Sequence, residues 1–139
     1  MDIENQVLKY EKYSVKENNK TVKAKKGDIW TVDYGVTVGS EIYGVIPSIV
    51  LTSSSLNDKT NQVIVCPIFS NAQRRASEFF IPLYPSMLAF GGQRLKGFIK
   101  TDTIRTFSSG RLGQRVARLN DIGWDRVSVK INKIIHLKD

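Results

Sequence analysis

The chain has one cysteine and one histidine in 139 residues. A single cysteine excludes an internal disulfide, so ordinary apolar burial must close the fold, and this length suits one domain of that kind. Cys66 sits in the apolar run Val63 to Ile68 and reads as a buried reduced thiol. The lone His136 rules out zinc spacing built on Cys/His pairs, and no GxxxxGK(S/T), GxGxxG or GxSxG stretch is present. No metal and no cofactor are expected. No run approaches the roughly 18 apolar residues of a membrane span, and Met1 to Tyr10 is too polar for a signal peptide. The expectation is a cytoplasmic protein without membrane attachment. Acidic residues are also scarce, 13 against 21 lysines and arginines, which leaves a net charge of +8 and a pI near 9.7. An excess of that size marks a nucleic-acid binder if it gathers on one face, and otherwise only aids solubility.

What is present divides at Gly27. Residues 1–26 are polar and free of Gly and Pro. They read as a basic extension, partly helical or disordered, ending in an exposed linker from Glu17 to Lys26. Residues 27–139 form the folded domain. Ile29 to Tyr34 and Ser48 to Thr52 are rich in strand formers, with Gly35, Gly39 and Gly44 predicting a long mobile loop between them. Ser53 to Asn61 reads as a turn-rich connection. Val63 to Phe69 is apolar on both faces, as a central strand should be, with Pro67 marking a bulge or an edge near its end. Asn71 to Ser77 is a polar loop, Glu78 to Leu83 a strand, Tyr84 to Lys96 a second long connection, and Gly97 to Phe107 the last clear strand. Asn120 then caps a helix whose Trp124, Val127, Ile131, Ile134 and Ile135 share a face. Trp30 and Trp124 are expected in the core, and His136 at the surface. The fold class is mainly β, a β-rich α+β domain.

Gly27-Asp28-Ile29-Trp30, then Gly39-Ser40-Glu41, then Gly44 and Pro47 resemble in order the opening of the MazF/PemK toxin family. Thr103-Ile104-Arg105-Thr106 is similar to that family's Gln-x-Arg-Thr strand end, with threonine in place of glutamine. The resemblance runs from Gly27 to Leu137. It implies a small SH3-like β-barrel of the MazF/PemK/CcdB type with a C-terminal amphipathic helix, usually a homodimer. It also implies a metal-independent endoribonuclease that cuts single-stranded RNA through a cyclic phosphate, paired with an acidic antitoxin.

That reaction needs a base for the 2′-hydroxyl proton, an acid for the leaving 5′-oxygen, and cations or donors for the phosphate. Where the MazF-like branch places an arginine and a threonine, this chain has Ile46 and Phe69, and Ser70 next door carries the nearest hydroxyl. In the Kid-like branch a loop histidine and an Arg-x-Asp pair carry catalysis. Ser40 stands at the histidine, while Lys100 and Asp102 match the pair with lysine for arginine. Two residues apart on a strand, they would share a face. Lys100 and Asp102 are thus the catalytic candidates, and Arg74, Arg75, Arg105 and Ser70 the RNA-binding ones. Gly39, Ser40 and Glu41 are the loop candidates. Plainer readings stand beside these. Lys100 and Asp102 can be a strand-end ion pair, Arg105 a buried hydrogen-bonded support of the barrel, and Glu41 a structural or dimer contact. A second class of function follows from the departures at Ile46, Phe69 and Ser40. On that reading the barrel has lost catalysis and binds RNA, DNA or a protein, as the gyrase-poisoning CcdB branch does.

Overall fold

Ile29, Trp30 and Val32 make β1 (Asp28–Asp33), and Ile46, Ile49 and Val50 make β2 (Val45–Val50), antiparallel to it with Ile29 opposite Ile49. A computed structural model describes residues 23–36, 43–70, 79–93 and 95–135. The loop candidates Gly39, Ser40 and Glu41, the arginines Arg74 and Arg75, most of the basic extension, and His136 lie outside the described residues.

After β2 the connection is a short helix, α1 (Ser54–Thr60), where a turn-rich loop was expected. Its N-cap Ser53 accepts from the Leu56 backbone N–H at 3.2 Å, satisfying one of the donors a helix start leaves open. Next come β3 (Gln62–Phe69), β4 (Phe80–Pro82) and β5 (Leu88–Gly91), followed by β6 (Phe98–Lys100), β7 (Arg105–Ser108) and β8 (Leu112–Leu119). The sheet order is β4-β6-β3-β2-β1-β8-β5, with β7 also paired to β3. The expected small barrel with a C-terminal helix holds as a strongly curled antiparallel half-barrel, closed by α2 (Asp121–Ile134).

Three sequence expectations need correction. The single strand from Gly97 to Phe107 is two, because Thr101 turns inward. Thr101 is fully buried, and its backbone N–H and hydroxyl both donate to the Phe79 carbonyl. The long connection after Tyr84 contains β5. No strand was expected after Phe107, yet Leu112 to Leu119 is an eight-residue strand lying between β1 and β5.

β3 is buried on both faces as expected. Cys66 and Ile68 join one apolar cluster and Val63 and Val65 the other. β7 pairs with Gln62–Val65 and β6 with Ile68–Phe69, so Pro67 falls in the gap between the two partners on that side. A residue without an N–H is tolerated there.

The first cluster gathers Ile29, Ile49, Cys66, Ile99, Met87 and Val127, with Trp124 and Ile131 of α2 packed onto it. Asn120 caps that helix by accepting from the Gly123 N–H at 2.9 Å. Gly123 has a second task, since a Cβ there would overlap the Met87 carbonyl oxygen. The second cluster contains Trp30, Val32, Tyr34, Val50, Val63 and Val65 on the opposite face, with Ile46, Phe107 and Leu112 at its margin. Ala24 is 5% exposed in this cluster and its carbonyl accepts from Asn57 Nδ2 at 3.0 Å, so the folded body begins before Gly27. Trp30 is buried as expected, and Trp124 is half-buried with the Lys26 ammonium 5.3 Å from its ring centroid.

Candidate active site

β6 ends at Lys100, and the turn that Thr101 anchors brings the next polar side chains back over it. Lys100 Nζ lies 2.7 Å from Asp102 Oδ1 and donates to Thr103 Oγ1 at 3.0 Å. Thr103 Oγ1 in turn donates to Asp102 Oδ1 at 3.2 Å. The two candidate side chains do meet, but through a turn and not through strand alternation. The Phe80 ring, opposite Lys100 on β4, sits 5.6 Å from the ammonium and covers one side of it. Side-chain exposures of 28% for Lys100 and 35% for Asp102 leave the pair reachable from solvent. A reachable cation and carboxylate in contact can hold a phosphate and move a proton. They can equally be an ion pair worth under about 1 kcal/mol.

Beneath the pair lies Cys66, fully buried, its thiol donating to the Lys100 carbonyl at 3.1 Å. Burial pushes this thiol up to about 12; the Asp102 charge adds to the rise and the Lys100 charge opposes it. The thiol is therefore neutral at physiological pH and supports the turn as a small apolar body.

Arg105 starts β7 opposite Val65, two residues before Phe107 opposite Val63. Because both valines belong to the second cluster, Arg105 and Phe107 project onto that face. The buried support expected of Arg105 is not what forms. It is exposed, and among the described residues its side chain has no ion pair or hydrogen bond. Its charge reaches Tyr34, whose hydroxyl is raised well above the ordinary range by burial, while the Ser48 hydrogen bond and Arg105 pull the other way. Tyr34 Oη and Ser48 Oγ are 2.7 Å apart, and Ser48 Oγ also donates to the Ile46 carbonyl at 3.2 Å.

Ile46 itself packs against the second cluster. Ser70 is exposed just past β3, next to Gly97. That is the far end of β6 from Lys100, about 10 Å along the strand, so Ser70 does not join the pair. Among the described residues no three His, Cys, Asp or Glu side chains converge as metal ligands would, and no helix is long and apolar enough to cross a membrane.

Sequence reasoning passed over a buried ion pair on the same face. Asp28 is fully buried, with Oδ1 2.6 Å from Arg118 Nη1 and Oδ2 accepting from the Lys25 backbone N–H and from Trp30 Nε1. Asp28 entered the sequence reading only as part of the family-like opening, and no local pattern ties it to a partner ninety residues on.

A family model described as the PemK-like, MazF-like toxin of type II toxin-antitoxin systems matches residues 25–135. The chain belongs to the PemK/MazF toxin family. Endoribonuclease PemK from Escherichia coli is 27% identical over 113 residues, 80% of this chain and 81% of that protein. Among solved structures, MazF from Deinococcus radiodurans superposes with a TM-score of 0.69 at 19% identity, covering 84% of this chain and 99% of that one. An endoribonuclease from a mycobacterial species, solved in complex with its cognate antitoxin, gives a TM-score of 0.63 at 16% identity over 84% of this chain and 97% of that one. At such identities the structural likeness establishes the shared fold. The PemK/MazF membership accounts for the curled half-barrel with its C-terminal helix.

Proposed function

We propose that this PemK/MazF toxin is a metal-independent endoribonuclease acting on single-stranded RNA, with Lys100 and Asp102 as its catalytic pair. Asp102 accepts the proton of the substrate's 2′-hydroxyl. The freed oxygen attacks the adjacent phosphorus, the bond to the 5′-oxygen breaks, and the departing oxygen takes a proton, leaving a 2′,3′-cyclic phosphate and a 5′-hydroxyl. Lys100 meets the phosphate charge and supplies that proton. The observation that carries this reading is the reachable Lys100–Asp102 contact, in a chain related to an endoribonuclease PemK. Arg105, with no partner among the described residues, is the nearby phosphate ligand. Arg74, Arg75, Ser70 and the loop residues Gly39, Ser40 and Glu41 remain secondary candidates for RNA contact.

Solved relatives in complex with an antitoxin favour a partner of that kind here. A chain of net charge +8 suits an acidic antitoxin electrostatically. The functional unit is proposed to be a cytoplasmic homodimer, with the segment ahead of the family match as an accessory extension.

Ile46, an apolar residue packed among apolar neighbours, favours one alternative: a barrel that binds nucleic acid or a protein without cutting RNA. Cleavage of a long unpaired RNA in EDTA separates the two. The catalytic reading expects discrete fragments ending in cyclic phosphate, with rates falling by about 10² or more for both Lys100→Ala and Asp102→Ala. Intact RNA under an excess of folded native protein, or fragments equally abundant with both variants, would reject it.

A further inference from the structure

One end of the second sheet face carries Arg105, the phosphate ligand proposed above, beside an aromatic ring that the chemistry at Lys100 and Asp102 leaves unused. Arg105 and Phe107 lie two residues apart on β7, an advance of about 6.6 Å along one face. That is comparable to the step between successive phosphates of an extended single strand. Phe107 is half-buried and meets the Tyr34 ring edge-on, with centroids 4.8 Å apart at 78°. Arg111, from the 3-10 turn after β7, lays its guanidinium 5.7 Å from the Phe107 centroid. Arg111 Nη1 donates to the Asp33 carbonyl at 3.1 Å, which fixes the plane at the end of β1. The side chain is exposed, and among the described residues it has no carboxylate partner. An exposed guanidinium backed by a ring and held by a carbonyl presents a rigid cationic plane, a surface on which an unpaired base stacks.

We infer that Arg105 and Arg111 form a subsite for the nucleotide flanking the cleaved bond. Arg105 takes its phosphate, and Arg111, propped by Phe107, carries its base. This rests on the ribonuclease reading of the same site and names where its substrate lies. Chain connectivity fits: Arg105 follows Asp102 by three residues, within about 11 Å, so a strand with its scissile phosphate at Lys100 would run along β7 toward Arg111.

The test uses the full chain and a 2′-O-methyl oligonucleotide, which has no 2′-hydroxyl to attack and reports binding alone. Arg111→Lys keeps the charge and loses the plane. It should weaken binding about tenfold, the loss expected of one stacked base, without changing the salt dependence. Arg105→Gln should lower the slope of log affinity against log salt by about 0.7, as one lost phosphate contact does on a single strand. Arg126→Gln on α2 removes the same charge from an exposed helix position and serves as the comparison. An abasic site moved along the oligonucleotide should reveal one position that costs the native protein about tenfold and costs Arg111→Lys nothing further. Native-like affinity of Arg111→Lys, or an abasic penalty that simply adds to the Arg111→Lys loss, would overturn the subsite even if the native protein cuts RNA. Tight binding with the predicted pattern but no cleavage in EDTA would keep the subsite and remove the chemistry. Failure of the native protein to bind the oligonucleotide would remove both.

Discussion

On one face of the sheet Ile29, Ile49, Ile99 and Met87 are sealed by α2, whose Gly123 sits where a Cβ would overlap the Met87 carbonyl. On the other face Trp30, Val32 and Val65 make a comparable apolar patch, but polar groups hold its surroundings together. Asp28 with Arg118 joins β1 to β8, Tyr34 with Ser48 joins the end of β1 to β2, and Arg111 holds the Asp33 carbonyl. Burial on the first face needs no directional partner, whereas each polar group on the second loses its value when its partner goes. The helix-covered face is therefore built for stability alone. The open face trades some of that for exposed charge, and Arg105 and Arg111 stand where a ligand can reach them.

The comparison breaks most clearly at Asp28. Replacing it with alanine leaves Arg118 without its carboxylate and strips acceptors from the Lys25 and Trp30 N–H groups. The expected loss is about 3 kcal/mol, read as a fall in the urea midpoint at neutral pH. Arg118, at 36% side-chain exposure, can turn to water and so keeps the figure at the lower end for a broken buried pair. A loss below about 1 kcal/mol would mean that the polar ties of the second face are incidental.

Much of this architecture was legible in the sequence because it depends on short-range pattern. The α2 stripe, its Asn120 cap and the two-faced β3 all follow from residues within one element. β8 was missed because its register shifts between the Trp30–Arg115 and Ile29–Ala117 pairings, a bulge at Val116 that breaks the alternation by which a strand is recognised. α1 was missed because its inward residue is Asn57, whose buried amide bonds the Ala24 and Thr52 carbonyls, where an apolar stripe would have announced a helix. At the candidate site, the Lys100–Asp102 juxtaposition was legible from their spacing, although a turn rather than strand alternation makes the contact. The exposure of Arg105 depends on which strand pairs with β3, which no local window contains.

A smaller effect probes the sealed face. Glycine to alanine inside a helix ordinarily stabilises by up to about 1 kcal/mol. At Gly123 the sign should reverse, because the new Cβ would overlap the Met87 carbonyl and push α2 off the first cluster. A loss of about 1–3 kcal/mol in urea unfolding is expected. A gain would show that the helix can shift freely and that this face is no tighter than the other.

A pH dependence also separates the faces, since each buries an acid that titrates above neutral pH. Cys66 on the first face is held up at about 12, and Tyr34 on the second is raised further. In the unfolded chain the thiol ionises near 8.5 and the phenol near 10. A group whose folded value is raised keeps its proton in the native state while the unfolded chain loses it, so stability falls as pH rises. The Cys66 contribution is whole below about pH 8.5 and drains away between there and about 12, while the Tyr34 contribution starts to fall only above about pH 10. Urea midpoints at pH 8, 9.5 and 11 should therefore decline for the native protein. Cys66→Ala should flatten the first interval and Tyr34→Phe only the second, each judged by slope because both substitutions also disturb packing. A Cys66→Ala profile that declines in parallel with the native one from pH 8 to 9.5 would mean that the thiol under the Lys100 turn reaches water, and that the first face is less tightly closed than its helix implies.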